Sequence, residues 1–122
     1  MKSFLITIFA SLFSFVLATS CSGHALEPGY LDIIPIENEQ WQVTWRKPQV
    51  SGKAMEIDAV LPKNCAPRRA PSSRFDGRAY VSGWIASCTE NIWDNEIFIE
   101  GLNSTATDVL VRFIAGPGET AT

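Results

Sequence analysis

From Gln40 to Arg46 hydrophobic and polar side chains alternate without a break. Trp41, Val43 and Trp45 share one side, and Gln40, Gln42, Thr44 and Arg46 share the other. A period of two carried by aromatic and β-branched residues predicts a strand with one buried face. Asp108 to Phe113 repeats the pattern, with Val109, Val111 and Phe113 against Asp108 and Arg112. In Met55 to Leu61 the apolar set is Met55, Ile57, Ala59 and Leu61, and within Arg78 to Cys88 it is Trp84, Ala86 and Cys88. Tyr30 to Ile36 and Glu96 to Glu100 are shorter, isoleucine-rich candidates, and Pro35 assigns the end of the first to an edge or a bulge. Turn residues separate these runs: Pro48 to Gly52, Pro62 with Asn64, Asp76-Gly77, Asp94-Asn95 and Gly101. No segment beyond the N-terminal run sustains a helical period, so the pattern predicts an all-β fold, a small antiparallel β-sandwich of the Greek-key type.

The N-terminal run differs in kind. Lys2 precedes a mostly apolar stretch from Phe4 to Ala18, small and polar residues follow, and the first acidic residue is Glu27. That layout predicts a cleavable secretory signal peptide over residues 1–23, with a cut before His24 or, alternatively, before Leu26. The stretch is short for a membrane span, which needs about 20 apolar residues. Lipidation at Cys21 is a further alternative, although Ala18 stands where a leucine is usual. The division expected is thus a signal at 1–23, a domain at 24–115 and a flexible tail or linker start at 116–122. An exported domain would face the periplasm or the outer side of a membrane.

Composition narrows the function. With 122 residues the chain is about one domain, and 46% apolar against 19% charged residues is a foldable balance. A net charge of −3 gives no support to general nucleic-acid binding. Once Cys21 leaves with the signal, Cys65 and Cys88 form an even pair in an exported domain, which predicts a disulfide. The alternative, a redox pair, lacks the C-x-x-C spacing.

Candidate chemistry is sparse. The single histidine, His24, sits at or before the mature terminus, so no Ser-His-Asp arrangement can be built. As a free N-terminal residue His24 could chelate Cu(II) or Ni(II), a weak metal candidate; no other cofactor is indicated. Arg68, Arg69, Arg74 and Arg78 form a basic cluster in a loop, readable as an anion or partner contact or as a solvated loop balancing an acidic domain. Trp41, Trp45 and Trp84 fall on predicted inner faces, which favours core packing over a carbohydrate platform, and Trp93 is expected to be exposed. No catalytic constellation stands out, and the expectation is a non-enzymatic protein.

The same residues make up a larger pattern. Pro28-Gly29-Tyr30-Leu31 follows the signal, Val43 to Pro48 carries Trp45, and Trp84 precedes Cys88. Ile99-Glu100-Gly101-Leu102 then leads through Thr105 to Thr107-Asp108-Val109-Leu110-Val111-Arg112. This resembles the N-terminal extracytoplasmic domain of the HupE/UreJ-like membrane proteins over essentially the whole mature chain. The resemblance implies a bacterial exported head that normally precedes several membrane helices, in a family linked by name to nickel uptake. Its partner would be the membrane-embedded region of such a protein or another periplasmic protein. The family's metal motif, a His with a later Asp-His on the first membrane helix, has no counterpart here, so no ligand carries over. The sequence ends at Thr122, where the family would continue into the membrane, which fits a truncated frame or a free-standing head. Gly101 before Leu102 fits a tight turn with positive φ. Asp108 and Arg112, four apart on one strand face, form a polar pair able to hold a neighbouring loop or a partner.

Overall fold

The computed structural model describes residues 27–37, 39–69, 71–116 and 119–121. The predicted signal segment 1–23, with Cys21, and the metal candidate His24 lie outside the described residues. Ten strands follow in order: β1 (Gly29–Pro35), β2 (Gln40–Val50), β3 (Lys53–Ala54), β4 (Asp58–Val60), β5 (Cys65–Pro67), β6 (Ser73–Phe75), β7 (Ala79–Cys88), β8 (Phe98–Glu100), β9 (Val109–Gly116) and β10 (Glu119–Ala121). Short 3₁₀ turns lie at Ile92–Asp94 and Leu102–Ser104.

Eight strands form one sheet in the order β10-β9-β1-β2-β7-β5, with β3 paired to β2 and β6 paired to β7. A two-stranded sheet, β4 with β8, is the second layer. The fold is all-β and sandwich-like, with one departure from the antiparallel expectation. β1 and β9 run parallel, with Leu31 opposite Val111 and Ile33 opposite Phe113. Parallel neighbours need a long crossover, and here everything from β2 to β8 lies between the two strands.

Alternation decides what each face of the sheet does. Leu31, Ile33, Val43 and Ala86 are fully buried, and Trp41, Trp45 and Cys88 nearly so, all on the inner face. Met55, Ile57 and Ile92 join them from the second layer, with Ala59, Leu61, Ile97 and Ile99 half-buried against the cluster. Burying one such side chain contributes about 1.5–3 kcal/mol, so the inner face holds the fold together. Trp93 is partly exposed, but it stacks edge-on against Trp41, with centroids 5.4 Å apart, and against Phe113 at 4.5 Å. Cys65 and Cys88 pair directly across β5 and β7 and form the disulfide, which fastens the short edge strand to the sheet.

Some local expectations change. Pro48 is not in a turn: β2 continues through it, opposite Ala79, and the turn lies at Ser51-Gly52, where both residues have positive φ. Pro35 ends β1 where β9 no longer runs beside it and only β2 does, opposite Trp41, so this end of the strand is an edge, as its sequence predicts, and the missing N–H leaves no gap in the β9 ladder. Met55 to Leu61 is not one strand, because Ile57 N–H bonds to Met55 O and breaks the extended run between β3 and β4. The expected tail also contributes strand: Gly116 closes β9, and β10 pairs back on it with a register shift.

Candidate functional site

The outer face of the large sheet is the other half of the alternation. Tyr30 and Asp32 on β1, Thr44 and Arg46 on β2, Val81 on β7, and Leu110 and Arg112 on β9 line an open groove of about 430 Å³ there. Register brings them together: Tyr30 lies opposite Leu110 and Arg46, and Asp32 lies opposite Arg112 and Thr44. Tyr30 and Leu110 are among the large apolar side chains most exposed to solvent.

Two ion pairs organise this face. Arg112 donates through Nε to Asp32 Oδ1 at 2.9 Å and through Nη2 to Oδ2 at 2.8 Å. This two-point geometry is the one a planar guanidinium favours with a carboxylate. The hydrogen bonds to Asp32, and then its charge, raise the Arg112 pKa above its ordinary value. Arg46 pairs with Asp76 at the β6–β7 turn. Asp76 also accepts from the backbone N–H of Ala79 at 2.8 Å and of Arg78 at 2.9 Å. These backbone donors, and then Arg46, lower the Asp76 pKa to about 2. The Asp76-Gly77 turn is thereby built as its sequence predicts, with Gly77 at positive φ.

The motif positions divide between architecture and surface. Gly29 is buried; a Cβ there would stand 3.1 Å from Val109 Cγ2 and 3.3 Å from the Trp45 ring, so Pro28-Gly29 feeds β1 into a tight seam. Gly29 N–H bonds to Asp108 O at 2.9 Å, and Thr107 Oγ1 donates to Glu27 O at 3.1 Å. Together these clamp the starts of β1 and β9. Gly101 has φ +79°, and a Cβ there would lie 2.3 Å from Glu56 O. Thr105 Oγ1 donates to Leu102 O at 2.9 Å and closes the 3₁₀ turn that follows. Trp45 is buried and Trp84 half-buried in the core, and Pro48 O accepts from Met55 N–H. Of the motif residues, Tyr30, Thr44, Arg46, Leu110 and Arg112 line the open groove.

The polar partner of Arg112 is Asp32, on the neighbouring strand β1. Asp108 precedes β9, whereas Asp32 sits directly across from Arg112. Alternation around Leu31 and Ile33 could have placed Asp32 on an outer face, but nothing local announces that β9 lies beside it. The four-arginine cluster is likewise divided. Arg78 pairs with Glu27, Arg74 lies on β6 opposite Val81, and Arg68 and Arg69 line a second groove with Ser72 and Gly83. Among the described residues no group of three or more His, Cys, Asp or Glu stands close enough to hold a metal ion.

Fold and site define an all-β, disulfide-bonded domain with one covered and one open sheet face. Compared with protein-family models, curated proteins and solved structures, the chain matches none.

Proposed function

We propose that the chain is an exported, non-enzymatic head domain of the HupE/UreJ-like kind, which docks through the open face of its large sheet on the membrane-embedded region of such a protein. The observation that carries this proposal is the Tyr30–Leu110 patch flanking the Asp32–Arg112 pair. Exposed apolar side chains grouped beside a fixed guanidinium suit a protein interface, where aromatic residues and arginine are enriched. The groove is open and its charges are already paired, which suits recognition better than reaction. The apolar N-terminal run and the disulfide support export, because disulfides persist in oxidising compartments. A link to nickel or other metal uptake follows from the family resemblance alone.

The test is association. The full chain is expressed in a bacterial host and mixed with the membrane region of a HupE/UreJ-like protein held in native-lipid discs. Retention of the wild-type chain is expected, with loss on Leu110→Asp. Absence of retention would contradict docking.

A further inference from the structure

The second groove, about 520 Å³, lies along β7 between its pairings with β6 and β5 and is lined by Arg68, Arg69, Ser72, Gly83, Trp84 and Ile85. It adjoins the first one where Gly83 pairs with Thr44 across β7 and β2. The chain carries 13 acidic residues against 10 basic ones, yet no carboxylate lines this groove. Arg46, Lys47, Arg78 and Arg112 each pair with a carboxylate; among the described residues Arg68 and Arg69, like Lys53, Lys63 and Arg74, enter no such pair, and of these five only Arg68 and Arg69 line this groove.

The fold also positions these two side chains. Arg68 N–H bonds to Ile85 O at 2.9 Å, which continues the β5–β7 ladder beyond the disulfide. Its guanidinium reaches Gln40 Oε1 at 3.5 Å, a long contact with a neutral acceptor that leaves the charge uncompensated. Gly83 is exposed and keeps the groove floor free of a side chain. A Cβ there would meet nothing nearer than Gln42 Nε2 and Val43 O at 3.9 Å, so backbone packing does not demand glycine. Two guanidinium groups and a serine hydroxyl lining one groove are the donors that suit a phosphate-type anion, whose tetrahedral oxygens accept in pairs from a guanidinium fork.

We infer that the groove at Arg68, Arg69 and Ser72 binds a phosphate-class oxyanion, delivered either as free phosphate or as the headgroup of an anionic phospholipid. Its basis, unpaired arginines over an open floor, is separate from the Asp32–Arg112 patch, so its failure would leave the docking proposal standing.

The experiment uses the full chain and three variants, Arg68→Gln/Arg69→Gln, Gly83→Val and Arg78→Gln, each checked for strand content and an intact disulfide. Titration with inorganic phosphate reads the free anion. Flotation with phosphatidylglycerol vesicles, against phosphatidylcholine vesicles, reads the headgroup. Saturable phosphate binding, or selective phosphatidylglycerol flotation, supports the inference when the double arginine variant weakens it at least about tenfold, the scale of losing charge-assisted bonds. Gly83→Val should weaken it similarly by filling the floor without removing charge, and Arg78→Gln should stay within about twofold, as expected of an exposed charge tied to Glu27 elsewhere. No response to either probe overturns the inference. So does a response unchanged in both groove variants, or one lost equally in Arg78→Gln.

Discussion

Arg112 holds both carboxylate oxygens of Asp32 across the parallel junction of β1 and β9. The pair is exposed, so solvent and salt screen it and it adds little to stability. Its geometry instead fixes a charged landmark beside the Tyr30–Leu110 pair. Arg112→Ala should therefore leave the thermal midpoint within a few degrees of wild type, while retention on the membrane region falls sharply. Parallel melting and retention measurements check this, and a large drop in midpoint would show the pair to be structural instead.

Gly101 and Gly52 make a matched comparison. Both have positive φ, but a Cβ at Gly52 meets nothing within 4 Å, whereas one at Gly101 lies 2.3 Å from Glu56 O. Gly52→Ala should cost about 1 kcal/mol from the left-handed backbone alone. Gly101→Ala should cost at least about 2 kcal/mol more, because the backbone of the second layer must shift as well. Urea unfolding of the two variants reads the difference directly.

The acid limb of stability should depend on Asp76. Its carboxyl has a pKa of about 2 when folded, against about 3.9 for an unperturbed aspartate. As pH falls through the unfolded value, the unfolded chain takes up the proton first, so stability declines from near pH 4 and levels off below about 2. Asp76→Asn keeps an acceptor for the Ala79 and Arg78 N–H groups but cannot titrate. Its melting temperature should fall less steeply between pH 5 and 2 than that of wild type.

The disulfide closes a loop of sequence separation 23. In the chain-entropy model such a loop contributes about 3 kcal/mol. Cys65→Ser/Cys88→Ser should lose about that amount in denaturant unfolding. Alkylation of the wild-type protein should label these two cysteines only after reduction, as a mass shift reports.

The sequence shows this fold wherever the determinant is local. Alternation around Trp41, Val43 and Trp45 marks β2 and its buried face, and Asp76-Gly77 marks the hairpin into β7. The pairing of Cys65 with Cys88 follows from the count of cysteines left once the predicted signal is set aside. What is hidden depends on neighbours distant in sequence. β9 lies parallel to β1 because the intervening chain brings it there, and only that register sets Asp32 opposite Arg112. Pro48 looks like a turn residue, but β2 continues through it and β7 pairs alongside. The arginine cluster is contiguous in sequence, yet the β6–β7 hairpin places Arg78 beside Glu27 and leaves Arg68 and Arg69 at another groove.

Site-specific photo-crosslinking distinguishes docking through the open face from docking elsewhere. A photoreactive residue is placed at Leu110 on β9, or at Phe98 on β8 of the second layer, both exposed. Each chain is co-expressed with the membrane region of a HupE/UreJ-like protein and irradiated in intact cells. An adduct from position 110 and none from position 98 is the expected result. No adduct from position 110, or equal adducts from both, would contradict a head domain that docks through this face.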